Sequence, residues 1–147
     1  MTTKLHHTAL VTQDIEAATR FYRDGLGMQV TMDITPELDF ISLFNAHTNR
    51  LRSIFLSDPD DSSAGFVELV EFDRIDGPPP PPADRPEVGF FLISFYLPHG
   101  EVRPRLEALG HPFQSEIEAD LGDGRSVKMA TVRDPDGVLV ELIDVSS

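Results

Sequence analysis

The chain contains no cysteine. That excludes a disulfide framework, a thiol nucleophile and a thiolate metal site. It has no apolar run near the roughly 20 residues that a membrane span requires. Its opening, Met1-Thr2-Thr3-Lys4-Leu5-His6-His7, lacks the apolar core of a secretory signal. A cytoplasmic protein is the expectation. Basic residues are scarce: 12 Lys and Arg stand against 25 Asp and Glu, for a formal net charge of −13. Nucleic acid and anionic membranes reward Lys and Arg, so neither is an expected partner. A cationic ligand fits the sign of the charge, but the plainer role of that charge is solubility. No glycine-rich phosphate loop and no serine-nucleophile motif occurs.

What is present is a repeat. Val67-Glu68-Leu69-Val70-Glu71 returns as Val140-Glu141-Leu142-Ile143-Asp144, 73 residues later. Asp58-Pro59-Asp60 returns as Asp134-Pro135-Asp136 after 76 residues, and Leu26-Gly27 returns as Leu109-Gly110 after 83. A slowly shrinking offset is what one duplicated unit leaves once its loops have been trimmed. The repeat puts Glu68 and Glu141 at equivalent points of two halves.

Periodicity gives each half the same order. In the first, Leu5 to Val11 reads as a strand. A helix follows, capped by Asp14, with Ile15, Ala18, Phe21 or Tyr22, and Leu26 on one face and Gly25 and Gly27 as its stop. Strands are expected over 29–34, 39–45, 52–56 and 66–72. In the second half the strand is 88–96 and the helix 101–109, with Val102, Leu106 and Leu109 on one face. Strands at 113–118, 125–132 and 138–145 follow, with turns at Gly122-Asp123-Gly124 and Asp134-Pro135-Asp136-Gly137. Between the halves run Gly77 and five prolines, Pro78 to Pro82, which suit an extended spacer rather than a helix or an inner strand. The expectation is an α+β fold with a first βαβββ module at 1–74, a proline-rich linker at 75–87 and a second βαβββ module at 88–147. Two such modules would form a cupped, largely antiparallel sheet around a cleft.

Here the residues resemble a known family. His7-Thr8-Ala9-Leu10-Val11-Thr12-Gln13-Asp14 with Phe21-Tyr22-Arg23-Asp24-Gly25-Leu26-Gly27 is similar to the opening of the vicinal oxygen chelate superfamily. That superfamily includes glyoxalase I, extradiol dioxygenases and the fosfomycin- and bleomycin-resistance proteins. Arg133-Asp134-Pro135-Asp136-Gly137-Val138-Leu139-Val140-Glu141-Leu142-Ile143 resembles its closing strand. The likeness implies four metal-ligand positions. They match His7, Glu68, Phe90 and Glu141, so three can ligate and Phe90 cannot. The implied cofactor is a divalent ion: Zn, Ni, Mn or Fe.

Strand alternation surrounds those positions with apolar side chains. Glu68 shares a face with Phe66, Val70 and Phe72. Glu141 shares one with Leu139 and Ile143, and His7 with Leu5, Ala9 and Val11. Phe90 shares one with Leu92, Ser94 and Tyr96. This suits a small-molecule site, apolar with few placed polar groups. Phe66, Val70, Phe90, Leu92, Ser94 and Leu139 are the candidate substrate-binding residues. His7, Glu68 and Glu141 are the candidate metal ligands, and Glu68 and Glu141 the candidate catalytic acid–base groups. His6 should point to the face opposite His7. His47, His99 and His111 fall in loops or beside helix ends. Arg52 and Lys128 hold matching places in the repeats, where a solvated outer face is the plainer role. The leading expectation is a metal-assisted isomerase or lyase acting on an oxygenated organic substrate, working as a homodimer. The alternative is a metal-free sequestering protein like the bleomycin-resistance branch, with Phe90 in an aromatic wall.

Overall fold

The computed structural model describes residues 3–61, 63–73, 86, 88–120 and 124–146. The proline-rich linker expected at 75–87 lies, apart from Pro86, outside the described residues, as do Gly122 and Asp123 of one expected turn. The chain divides into two compact units. One is Met1–Arg23 with Gly27–Pro78, and the other is Asp24–Leu26 with Pro79–Ser147.

The first unit holds strands β1 (His7–Val11), β2 (Gln29–Ile34), β3 (Leu51–Ser57) and β4 (Phe66–Phe72). They form one mixed sheet in the order β1-β4-β3-β2, with β1 parallel to β4 and the other pairs antiparallel. Helix α1 (Ile15–Thr19) runs on into a π-helical segment, Arg20–Gly25. Asp14 caps it by accepting the Ala17 N–H at 3.1 Å. Ile15, Ala18, Phe21 and Tyr22 are all buried in this unit, and Leu26, which belongs to the other, is buried as well. The π segment explains why both Phe21 and Tyr22 are buried where α-helical spacing asks for one. Its i→i+5 bonding shifts the inward stripe by one residue. Leu10, Ile54, Leu56, Val67 and Leu69 complete this core from the sheet.

The second unit repeats the plan. Strands β5 (Ile93–Tyr96), β6 (Ser115–Asp120), β7 (Ser126–Arg133) and β8 (Leu139–Asp144) pair in the order β5-β8-β7-β6, again with only the β5–β8 pair parallel. A ten-residue helix, His99–Ala108, supplies Val102 and Leu106 to a core with Ala130, Val132, Val140 and Leu142. Gly110 ends it with φ 87°: its N–H reaches Glu107 O at 3.0 Å and the His111 N–H reaches Leu106 O at 2.8 Å. That is a Schellman stop.

The sheets are largely antiparallel, as expected, with one parallel pair in each, since a strand–helix–strand start places the first strand parallel to the last. One expected strand is absent. Residues 39–45 form a short helix, Phe40–Phe44, because Asp39 accepts the Ser42 N–H at 3.1 Å and Asn49 Oδ1 accepts the Ile41 N–H at 2.9 Å. Asn45 stops it at φ 54°. In order along the chain this helix is α2, and His99–Ala108 is α3. Removing that strand leaves three after α1, so the βαβββ order holds in both halves. The first strand of the second half is shorter than 88–96, and its helix starts at His99 rather than Glu101.

A second equivalence emerges at the helix starts. Glu71, near the end of β4, accepts the Ile15 N–H on Oε2 at 2.9 Å. Asp144, the last residue of β8, accepts the His99 N–H on Oδ2 at 2.8 Å. Each closing strand thus ends in a carboxylate that caps its own helix, where unpaired N–H groups and the helix dipole favour a negative charge. Asp144 is held down to about 2 from an ordinary 3.8, by the Ser146 hydroxyl first, then by the His99 N–H, with burial opposing.

Candidate functional site

In the first sheet Glu68 sits in the middle of β4, opposite Ala9 of β1 and Phe55 of β3. Its neighbours Val67 and Leu69 face the helix and are buried, so alternation turns Glu68 to the other side. There His7 Nε2 lies 3.2 Å from Glu68 Oε1, with the side chains 31% and 18% exposed. Ser53 Oγ donates to Glu68 Oε2 at 2.6 Å. Ser53 is 2% exposed, so it is a fixed donor. The His7 ring stacks on Phe66, with centroids 5.1 Å apart and planes 9° apart, and Phe55 packs 5.0 Å from Phe66. An aromatic pair thus backs a histidine–carboxylate pair.

His6 departs from expectation. It does not take the opposite face, because β1 begins only at His7 and alternation does not reach back to residue 6. Its Nδ1 lies 2.7 Å from His7 Nδ1, and its ring meets Phe66 edge-on at 5.0 Å. Four residues therefore form one line of polar contacts: His6, His7, Glu68 and Ser53. Sequence reasoning missed Ser53. The available signal was a polar residue inside the apolar run Leu51 to Leu56, two positions from Phe55 on the Glu68 side.

In the second sheet Glu141 sits at the matching point of β8, opposite Ser94 of β5 and Thr131 of β7. It is half-buried, and Ser94 Oγ donates to its Oε1 at 2.9 Å. Leu139 and Ile143 share its face and are half-buried. The position that corresponds to His7 is read from register. Thr8 pairs with Val67 as Ile93 pairs with Val140, so His7 corresponds to Leu92. Phe90 lies two residues further out, before β5, and is 65% exposed. Of the other candidates, Phe66 is half-buried against His7, and Val70 is buried in a cluster with Phe40 and Leu51. Arg52 is engaged in structure: it pairs with Asp33 through Nε and Nη2 and with Glu16 through Nη1. His99 and His111 bond backbone carbonyls, at Leu142 and Arg133.

Among the described residues no group of three or more potential ligands gathers to hold a metal ion. The His7–Glu68 pair nonetheless fits two positions of one. Ligands about 2.0–2.2 Å from an ion at right or tetrahedral angles stand about 2.9–3.5 Å apart, and the observed 3.2 Å falls in that window. One imidazole and one carboxylate suit Zn, Ni, Mn or Fe.

The sequence model of the Glyoxalase/Bleomycin resistance protein/Dioxygenase superfamily matches residues 4–142. The chain is 32% identical over 145 residues to the lactoylglutathione lyase-like protein terB of Aspergillus terreus, covering 95% of this chain and 74% of that protein. A glyoxalase family protein from Bacillus cereus superposes with a TM-score of 0.79 at 16% identity, over 100% of this chain and 97% of the other. The trypanothione-dependent glyoxalase I of Leishmania major does so with 0.68 at 21% identity, over 97% and 87%. No helix among the described residues is long and apolar enough to cross a membrane.

Proposed function

The chain belongs to the Glyoxalase/Bleomycin resistance protein/Dioxygenase superfamily, and from that premise we propose that it is a metal-assisted lyase or isomerase acting on a small oxygenated organic molecule. The observation that carries the reading is the His7–Glu68 pair, an imidazole nitrogen and a carboxylate oxygen 3.2 Å apart on the non-helical face of their sheet. The lactoylglutathione lyase-like relative supports the reaction class.

In this reading His7 and Glu68 hold a divalent ion, and Glu141, the repeat-equivalent carboxylate, is the further ligand. A bound ion supplies Lewis-acid polarisation of a carbonyl or enolate oxygen. The chain does the rest. Ser53 occupies Glu68 Oε2 and leaves Oε1 for binding. Phe66 and Phe55 give the substrate an apolar wall beside the pair. Glu141, held by the exposed Ser94, accepts or returns the proton on a carboxylate oxygen. The working form is a homodimer in the cytoplasm. Dimerisation is checked by sedimentation at micromolar concentration.

Metal analysis of protein purified without chelator or affinity tag tests the function. We expect close to one divalent ion per chain, and lower metal content in both Glu68→Gln and Glu141→Gln with far-UV circular dichroism unchanged. A wild-type protein that stays metal-free after dialysis against Zn²⁺, Mn²⁺, Ni²⁺ and Fe²⁺ would overturn the metal reading. It would leave the sequestering protein in its place.

A further inference from the structure

The contact between His6 Nδ1 and His7 Nδ1, at 2.7 Å, has no part in the proposed chemistry above. Two ring nitrogens at that distance must share one proton, with one ring donating and the other accepting. The second nitrogen of His7 faces Glu68 Oε1, which as a carboxylate only accepts. The two neutral rings therefore have two consistent arrangements. In one, His7 Nε2–H donates to Glu68 and His6 Nδ1–H donates to His7 Nδ1. In the other, His7 carries its proton on Nδ1 and donates it to His6 Nδ1, and His7 Nε2 is a bare lone pair. Only the second can give Nε2 to a cation.

We infer that His6 is a positioning residue: when a cation takes His7 Nε2, His6 accepts the Nδ1 proton of His7 and so stabilises the tautomer that ligates. Packing supports the arrangement independently, since Phe66 takes the His7 ring face-on and the His6 ring edge-on and so fixes both. Protons balance. On cation binding the His7 proton leaves Nε2 and one is taken up on Nδ1. The His6 proton leaves Nδ1 and one is taken up on Nε2, which the exposed ring exchanges with water. Each ring keeps one proton and none is released overall. Metal-bound histidines elsewhere gain affinity from such an outer partner. A neighbour in sequence supplies it here.

The inference rests on the reading of His7 as a ligand, so the experiment separates the two. The probe is Zn²⁺, with affinity measured by competition with a chromophoric chelator at about pH 8. Long-range ¹H–¹⁵N correlation reports which nitrogen of His7 is protonated. The variants are His6→Phe, which keeps a ring against Phe66 without an acceptor, and His6→Asn, whose Oδ1 stands in for Nδ1. The expected result is a His7 proton on Nε2 in the metal-free protein and on Nδ1 in the zinc form. His6→Phe should weaken zinc binding by about 10–100-fold, and His6→Asn should restore most of it. If His6→Phe binds zinc as tightly as wild type, or His6→Asn as weakly as His6→Phe, the inference is overturned alone. If wild type binds no zinc, or His7→Ala binds it undiminished, the ligand reading fails and takes the inference with it.

Discussion

Glu68 and Glu141 stand at the same register point of two sheets, yet their surroundings differ. Glu68 is gripped from both sides, by His7 from β1 and by the buried Ser53 from β3. Glu141 is held by Ser94 from β5, and Ser94 is exposed. Register shows where the difference arises. His7 corresponds to Leu92, Ala9 to Ser94, Ser53 to Met129 and Phe55 to Thr131. Each carboxylate has a serine, but the serine comes from the antiparallel neighbour in one sheet and from the parallel neighbour in the other. A duplicated strand keeps its place in the ladder through backbone pairing. Its side-chain partners lie on flanking strands and are free to change. A firmly held carboxylate suits ion binding, and a lightly held one suits proton movement.

The comparison predicts equal damage where the repeats are alike. Leu69 and Leu142 each follow the glutamate and are fully buried. Leu69→Ala and Leu142→Ala should each cost about 2–5 kcal/mol in chemical denaturation. A large loss in one with none in the other would break the parallel between the two cores.

Where the repeats differ, the effects should differ. Glu68→Gln should weaken zinc binding by more than the roughly 100-fold that losing an outer-shell partner costs, with a smaller loss for Glu141→Gln. The order is read by equilibrium titration, and equal losses would remove the contrast. Leu92→His sharpens the same point. It should give the second sheet a histidine placed toward Glu141 as His7 is toward Glu68, and raise zinc affinity more than Phe90→His does.

The serines come next. A hydrogen bond to a charged group contributes about 1.5–3 kcal/mol, and Ser53→Ala should fall near the lower end because Glu68 keeps some access to water. Ser94→Ala, at an exposed site, should stay within about 0.5 kcal/mol. Urea denaturation of the two variants measures the difference.

A separate prediction concerns pH. Asp144 has its folded-state pKa lowered from 3.8 to about 2. A lowered carboxylate contributes stability above its unfolded value, and that contribution fades as pH falls from about 4 towards 2. Asp144→Asn should lose stability at pH 6 and lose less further stability than wild type between pH 4 and 2. A wild-type acid limb unchanged by the substitution would refute this role for Asp144.

Much of the fold was legible in the chain. The Val-Glu-Leu runs became β4 and β8, Asp14 became a helix cap, and Gly27 and Gly110 became helix stops with positive φ. These signals are local, carried by side-chain period or by one residue's backbone freedom. The short helix at Phe40–Phe44 was not legible. It depends on Asn49, eight residues away from Ile41, closing a bond that strand propensity cannot register. His6 was misread because alternation holds only inside a strand, and the strand's first residue was unknown.

By itself the sequence determined the duplication, the order of elements in each half and the placing of two carboxylates on non-helical faces, because hydrophobic period and turn chemistry act over a few residues. Tertiary structure decided the neighbours. It put Ser53 under Glu68, turned His6 back onto His7, and set Leu92 rather than Phe90 at the place matching His7. It also gave Glu71 and Asp144 to the starts of their own helices. The turn of His6 follows from where β1 begins; the others depend on strand register or on a contact between residues far apart in the chain, and neither is encoded in any short run of letters.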